Sequence, residues 1–218
     1  MRLYIVKDNI QTNVRRIVIM KELYLLRHSE PLKPINIDNN DSLQIQNEKW
    51  CLTIKGELLA KEKSEQKIFN NFDVVISSNY VRAISTAKYF IKDKILVDEN
   101  FNERKFGINN WKKLPSDFGK KQWKDFNYKL PNGESLNEVI NRQYNAIINI
   151  FDMYPNKKIL IVGHATAFAS LFSKWCEVGD NGYKFKGKIF FNGKWKYCES
   201  FKLIFDDDNN LTDIRNLK

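Results

Sequence analysis

The chain contains two histidines, and each directly follows a short apolar run. The apolar run at residues 23–26 is followed by Arg27 and then His28, and the run at residues 159–163 is followed at once by His164. A neutral imidazole nitrogen can act as a nucleophile or a base, and a guanidinium binds phosphate through two parallel hydrogen bonds. A histidine beside an arginine at the end of an apolar run is therefore a candidate for chemistry on an anionic substrate.

The elements that position these residues are predicted from the pattern of apolar residues. Short runs rich in Ile, Val and Leu predict buried strands, at 23–26, 73–77, 94–97, 158–163 and 201–205. Helical patterns alternate with them, at 54–69, 79–92, 136–152 and 166–176. This alternation predicts an α/β fold with a mostly parallel central sheet and helices on both faces.

Local signals place the ends of several elements. Thr53 and Ser78 precede the first two helices, and Ser135 with Glu138 predicts a capping box for the third. Two Asn-Gly pairs near the C-terminus, at 181–182 and 192–193, predict a hairpin that leads into an edge strand. Residues 104–133 show no clear periodicity, which in a compact domain is typical of a functional segment such as a lid.

Parallel strands bring their carboxyl ends to one edge of a sheet, where α/β proteins bind ligands. His28 and His164 both lie at such ends. The strand at 73–77 is followed by Arg82, one turn into the next helix. Arg82 is therefore a candidate phosphate ligand beside the two histidines.

Six segments in order make the chain resemble the histidine phosphatase superfamily, the phosphoglycerate-mutase-like group. They are LLRHSE, LTIKG, SSNYVRAISTA, NERKFG, NGESLNEVINR and ILIVGHATAF. The resemblance runs from about residue 22 to 206. It implies one histidine-phosphatase-like domain over residues 1–218, with residues 1–19 as a possible N-terminal extension before Met20.

The resemblance also implies roles for the residues at the strand ends. His28 is the nucleophile that forms a phosphohistidine, and its second ring nitrogen is expected to donate to a backbone carbonyl. Arg27, Arg82 and His164 hold the phosphate oxygens. Charge stabilisation of this kind suits phosphoryl transfer, which depends mainly on positioning and electrostatics.

Glu103, in NERKFG, takes the position of the family's acid, which protonates the leaving oxygen and then activates water. Glu99 and Glu134 are its rivals for this role. Arg104 is a candidate contact to the part of the substrate that does not react, although a surface role is equally compatible with the sequence.

Two positions depart from the family pattern. Ser29 stands where the family usually has glycine, and it is small enough to let the backbone approach the phosphate, so it is also a candidate substrate contact. Pro34 stands where the family often has asparagine, and Asn36 does not replace it. One phosphate contact is then missing or supplied by another group.

Three activities remain open. Only about 30 residues separate the acid from the GES segment, with no arginine between Arg104 and Arg142. This favours a phosphatase over a mutase, which carries a longer insertion with further arginines. A catalytically inactive member that acts as a binding protein is the third possibility. No carboxylate or Cys/His cluster has metal-ligand spacing, so activity without a metal or other cofactor is expected.

Composition limits the partners and the compartment. The net charge is +10, but the lysines are dispersed, which indicates a solvated surface more strongly than an anion-binding patch. No nucleic-acid motif, membrane-spanning run or signal peptide is present, and three scattered cysteines favour the cytoplasm. The expected partner is a small phosphorylated substrate, with no nucleic acid and no membrane. The sequence does not indicate the oligomeric state.

Overall fold

A computed structural model describes residues 20–33 and 42–218 of the chain. The strands are β1 Lys21–Arg27, β2 Val74–Ser77, β3 Ile95–Val97, β4 Lys158–Gly163, β5 Glu177–Gly179, β6 Gly182–Phe185, β7 Lys188–Phe191, β8 Ser200–Phe205 and β9 Leu211–Asn216. The α-helices are α1 Leu43–Lys49, α2 Ile54–Ser64, α3 Val81–Ala87, α4 Phe118–Lys124, α5 Leu136–Met153 and α6 Ala165–Phe172.

Six strands form the central sheet, in the order β3-β2-β4-β1-β8-β9. The first four of these are parallel to one another, whereas β8 and β9 run antiparallel to their neighbours. Strands β5, β6 and β7 form a separate antiparallel sheet. The predicted α/β fold with a mostly parallel sheet, flanking helices and a C-terminal hairpin with an edge strand is confirmed.

The side chains of the central strands alternate between two apolar cores. In β1, Leu23 and Leu25 face the core that includes α5 and α6, whereas Tyr24 and Leu26 face the core that includes α2 and α3. Strand β4 alternates in the same way. Burial on both faces explains why these strands are continuous apolar runs in the sequence.

The predicted helices are present, but most are shorter than their patterns. Helix α2 ends at Ser64, whereas the predicted helix extended to residue 69. The residues Lys67–Phe69 form a separate 3₁₀ turn. Helix α3 begins at Val81, with Tyr80 at the N-cap position, so the prediction that Ser78 caps it is wrong. The capping box of α5 is confirmed.

Of the two predicted Asn-Gly turns, the one at 181–182 is present: Asn181 lies in the turn between the antiparallel strands β5 and β6. Lys186 and Gly187 join β6 to β7, and both have the positive φ that a two-residue hairpin turn needs. Asn192 and Gly193 instead follow β7. The edge strand at the C-terminal end of the chain is β9, whose mixed polar sequence gave no signal; β3 is the other edge, and β8 lies inside the sheet.

Two predictions concern parts of the chain outside the described residues. They are the N-terminal extension at residues 1–19 and the departure from the family pattern at Pro34. Among residues 20–33 and 42–218, none of the helices combines the length and the apolar composition needed to cross a bilayer.

Candidate active site

Backbone hydrogen bonds join the carboxyl ends of three strands into one edge. The amide of His28 donates to the carbonyl of Gly163 at 2.9 Å, and the amide of Ser78 donates to the carbonyl of Val162 at 3.0 Å. These bonds extend the sheet by one residue beyond β1 and β2. They fix the starting positions of the loops that hold the candidate catalytic residues.

His28 is buried, and one of its ring nitrogens is already engaged. Nδ1 lies 2.7 Å from the carbonyl oxygen of Ser29, so Nδ1 must carry the proton and donate it. Burial, together with the positive charges of Arg82 and Arg27, holds the pKa of His28 well below its ordinary value. The imidazole is therefore neutral at physiological pH, with the lone pair on Nε2 available for attack. The expected bond to a backbone carbonyl is confirmed.

His164 is the N-cap residue of α6, and its ring centroid lies 5.2 Å from that of His28. Its Nε2 is 2.8 Å from Oγ of Ser78, and its Nδ1 is 3.4 Å from Nη2 of Arg82. A guanidinium only donates, so Nδ1 accepts and Nε2 carries the proton. Burial, followed by the charge of Arg82, lowers the pKa of His164 well below its ordinary value. The ring is neutral in this arrangement.

Arg82 is buried between two aromatic rings. Its guanidinium carbon lies 4.6 Å from the ring centroid of Tyr80 and 5.6 Å from that of Trp50, and Nη1 donates to the backbone carbonyl of Asn47. Burial lowers the pKa of Arg82 to about 10, so it stays charged at neutral pH. No carboxylate among the described residues forms an ion pair with Arg82, and burial is costly for an unpaired charge, so this cation favours an anionic ligand.

Arg27, next to His28 in the sequence, is held in a similar way. Nη1 donates to the carbonyl of Trp195 at 3.0 Å, and the guanidinium carbon lies 4.8 Å from the ring centroid of Tyr197. Burial lowers its pKa from the ordinary value. Nε of Arg27 has no hydrogen-bond partner among the described residues, and neither does Nε of Arg82. Both guanidinium groups thus retain donor capacity for a ligand.

The carboxylate of Glu103 is oriented by two backbone amides. Oε1 accepts from the amide of Arg104 at 3.0 Å, and Oε2 accepts from the amide of Thr166 at 3.2 Å. Thr166 lies in the first turn of α6, two residues after His164. The charge of Glu103 also raises the pKa of Arg27 and of Arg82, which places all three groups in one electrostatic site.

The two rival carboxylates have other surroundings. Glu134 pairs with Arg142 at 2.9 Å, and it also accepts from the amide of Lys105. Glu99 is exposed, on the 3₁₀ turn Glu99–Phe101. Of the three candidates for the acid, Glu103 alone has a contact to the helix that begins at the second histidine, which supports its assignment.

The side chains of Arg104 and Ser29, the two candidate substrate contacts, both contact other residues of the fold. The guanidinium of Arg104 lies over the rings of Phe106 and Phe118, at 5.2 and 5.6 Å. Ser29 is fully buried, its amide donates to Oγ1 of Thr86, and its hydroxyl donates to the carbonyl of Gly56 at 2.7 Å. The Ser29 hydroxyl is therefore engaged within the fold, and the substrate-binding roles of both residues stay predictions.

Gly56 allows helix α2 to approach the loop that follows His28. A Cβ there would lie 2.3 Å from the backbone oxygen of Glu30, so α2 packs directly on the loop that follows His28. The amide of Thr53 donates to the same oxygen at 3.0 Å. The LTIKG segment thus supports the nucleophile loop.

Several residues of the site were not predicted. Ser78 bonds His164, whereas its position before a helix indicated only a cap. The rings of Trp50 and Tyr197 come from segments far from the histidines in sequence. Arg142 donates to the carbonyls of Asn100 and Asn102, which steadies the loop that carries Glu103. No sequence signal identified Trp50 or Tyr197. Arg142 could have been identified, because it and its salt-bridge partner Glu134 both lie in the segment NGESLNEVINR.

The two neutral histidines predict a pH dependence of stability. In the unfolded chain a histidine gains a proton below about pH 6.5, whereas the folded pKa of His28 and of His164 is lower. The unfolded state then binds more protons, so the free energy of unfolding falls as pH falls from about 7 toward 5. We expect a smaller fall for the double variant His28→Gln, His164→Gln, measured by denaturant unfolding in phosphate-free buffer. Equal falls for the two proteins would show that these histidines are not buried in neutral form.

Comparison with known proteins identifies the family of the chain. The model of the histidine phosphatase superfamily (branch 1) matches residues 23–188. The uncharacterized phosphatase PhoE of Bacillus subtilis is 30% identical over 126 residues, which are 56% of this chain and 63% of that protein. The chain thus matches slightly less than two thirds of the length of this relative.

A second relative and a solved structure extend the comparison. The probable phosphoglycerate mutase GpmB of Erwinia tasmaniensis is 28% identical over 166 residues, covering 71% of this chain and 74% of that protein. A mycobacterial glucosyl-3-phosphoglycerate phosphatase superposes with a TM-score of 0.64 at 16% identity, covering 91% and 96% of the two chains. The first two matches and the family model confirm the resemblance read from the six segments, and the third supports the fold.

Proposed function

Because the chain belongs to the histidine phosphatase superfamily, we propose that it hydrolyses a small phosphomonoester through a phosphohistidine on His28. Family membership and the phosphatase name of one relative support the expected enzyme class, a phosphoric monoester hydrolase. The observation that supports the specific proposal best is the state of His28, whose imidazole is neutral and fixed in one tautomer by the carbonyl of Ser29. A cytoplasmic location is part of the same proposal.

The proposed first step is attack of His28 Nε2 on phosphorus. The bond from Nε2 to phosphorus forms while the bond from phosphorus to the leaving oxygen breaks. Arg27 and Arg82 neutralise the charge on the transferring group, which is the main contribution a protein makes to this reaction. Glu103, in its protonated form, gives a proton to the leaving oxygen, so that an alcohol departs.

The second step reverses the role of the carboxylate. Glu103, now ionised, takes a proton from water, whose oxygen attacks phosphorus and breaks the bond to Nε2. Inorganic phosphate leaves, and neutral His28 and protonated Glu103 are regenerated. His164 holds a phosphate oxygen during both steps. A bound dianion favours the imidazolium form of this ring, in which Nδ1 no longer accepts from Arg82 and donates to the phosphate oxygen instead.

The direct experiment is a screen of phosphomonoesters for release of inorganic phosphate, with wild-type protein and His28→Ala in parallel. We expect release by the wild type alone. A mutase differs only in passing the phosphoryl group to a second hydroxyl, so each candidate is also incubated with a bisphosphorylated primer. Isomerisation that requires the primer, without release of phosphate, would favour the mutase.

The role of Glu103 predicts a dependence on the leaving group. Glu103→Gln cannot donate a proton, so we expect kcat/KM for alkyl phosphates to fall about 10²- to 10⁴-fold, the usual contribution of general acid catalysis. Formation of the phosphoenzyme from 4-nitrophenyl phosphate, followed as a burst of nitrophenol, should fall much less because that leaving group needs little protonation. The matched control is Glu99→Gln, on the exposed turn, which should behave as wild type. Equal losses for both leaving groups would contradict the assignment.

Activity without a metal is a further prediction. Arg27 and Arg82 supply two fixed positive charges beside His28, which is the electrostatic role that a divalent cation has in other phosphoryl-transfer sites. We expect kcat to be unchanged after exhaustive treatment with EDTA and dialysis against metal-free buffer. Loss of activity that Mg²⁺ restores would contradict the proposal.

A further inference from the structure

A cavity of about 210 Å³ lies beside the candidate active site. Helix α6, the β6–β7 hairpin region and helix α4 contribute its walls. The side chains that line it are three aromatic and three small ones, from Trp123, Tyr183, Trp195, Ala165, Thr166 and Ala169. Its chemistry is separate from that of the arginines and histidines described above.

Two hydrogen bonds connect the wall of this cavity to the reacting groups. Thr166 lines the cavity, and its amide donates to Oε2 of Glu103 at 3.2 Å. Trp195 also lines it, and its carbonyl accepts from Arg27 at 3.0 Å. Through these two lining residues the cavity adjoins Glu103 and Arg27.

The chemistry of the wall indicates what the cavity accepts. None of the residues that line it carries a formal charge. Aromatic side chains offer flat apolar faces that pair favourably with other rings. A volume of about 210 Å³ is smaller than the roughly 300–1,000 Å³ typical of sites for drug-sized ligands. A small uncharged ring fits these properties better than a carboxylate-bearing alcohol does.

Of the two tryptophans in the cavity wall, Trp195 packs against the core more extensively than Trp123. Trp195 packs on Phe172 and Phe201, with ring centroids 6.0 and 5.2 Å apart, and so it is fixed by the core. Trp123 lies on the short helix α4, is 36% exposed, and contacts the ring of Phe126 edge-on at 5.5 Å. Trp123 can therefore be replaced with little effect on the core.

We propose that this cavity binds the leaving group and selects phosphomonoesters of small aromatic alcohols. The proposal rests on the proposed function and adds the substrate class. The phosphoryl group occupies the site between His28, Arg27 and Arg82, and the ring lies between Trp123 and Trp195. A leaving group with a carboxylate finds no cationic side chain in the cavity wall.

The first test measures binding without turnover. Phenylphosphonate and methylphosphonate share the anionic group and differ in the ring. We expect wild-type protein to bind phenylphosphonate about tenfold more tightly by calorimetry, and Trp123→Ala to lose most of that preference while its affinity for methylphosphonate stays within twofold. The matched control is Trp111→Ala, which removes a tryptophan that packs on Phe106 outside the cavity and should keep the preference.

The second test uses turnover of phenyl phosphate, glycerol 3-phosphate and 3-phosphoglycerate. Trp123→Ala should lower kcat/KM for phenyl phosphate about five- to tenfold, the size of one aromatic pair, and change the other two by less than twofold. Equal changes for all three substrates, or a wild-type preference for 3-phosphoglycerate, would overturn the inference. Binding preference without hydrolysis of any ester would instead refute the proposed function and leave the cavity assignment standing.

Discussion

Replacement of His28 by alanine is expected to lower kcat/KM about 10⁴-fold or more, for every phosphomonoester that the wild type hydrolyses. In the proposed mechanism Nε2 of this imidazole bonds to phosphorus, so the variant lacks the nucleophile. Nδ1 bonds to the carbonyl of Ser29 at 2.7 Å, so rotation of the ring is restrained and Nε2 is presented in one direction. The measurement is steady-state release of phosphate over a panel of esters.

The matched control for this variant is the chain's other histidine. His164→Ala removes a ring of the same kind at 5.2 Å from His28, but it leaves the nucleophile in place. We expect it to lower kcat by a smaller factor, about 10²-fold, because it removes one stabilising contact to the transferring group. Thermal unfolding of both variants checks that each is folded. A larger loss for His164→Ala than for His28→Ala would reverse the two roles.

The second large effect is expected at Arg82. Arg82→Gln removes a buried positive charge that faces the site, and removal of an arginine that stabilises transferring phosphoryl groups costs about 10³- to 10⁵-fold. We expect kcat to fall about 10³-fold and the affinity for inorganic phosphate to fall as well. Arg82→Lys keeps the charge but loses the planar group that donates to the carbonyl of Asn47 and that is proposed to bind phosphate, so it should recover only part of the activity.

Arg215 provides the control for that arginine series. It is an exposed residue of β9 that pairs with Asp213, and Arg215→Gln should leave kcat unchanged. Because Arg82 also bonds the backbone of α1 through Asn47, unfolding temperatures are compared for all variants. Full activity in a folded Arg82→Gln variant would contradict a phosphate-binding role for Arg82.

The parts of the molecule that could be predicted from sequence depend on local patterns. Strands buried on both faces are continuous apolar runs, so β1 and β4 and their carboxyl ends were placed within two residues. The capping box at Ser135 lies within four residues of chain and needs no tertiary context. Because these signals are local, the positions of His28 and His164 at one edge of the sheet followed from them.

The parts that could not be predicted depend on contacts between distant segments. Trp50 and Tyr197 reach the two arginines from loops far apart in sequence, and a single aromatic residue in a loop has no distinguishing pattern. Ser78 precedes a helix, as a capping residue does, but its hydroxyl bonds His164, 86 residues away. Strand β9 is half polar because it lies at the edge of the sheet, and its alternation was too weak to be recognised.

The most direct measurement of the mechanism is identification of the residue that carries the phosphoryl group. Glu103→Gln protein is mixed with labelled 4-nitrophenyl phosphate and quenched rapidly in alkali, because a phosphoramidate is stable to base and labile to acid. We expect label that maps to His28, that acid removes, and that is absent from the His28→Ala, Glu103→Gln double variant. Label on His164, on Ser29 or on any other residue would contradict the mechanism.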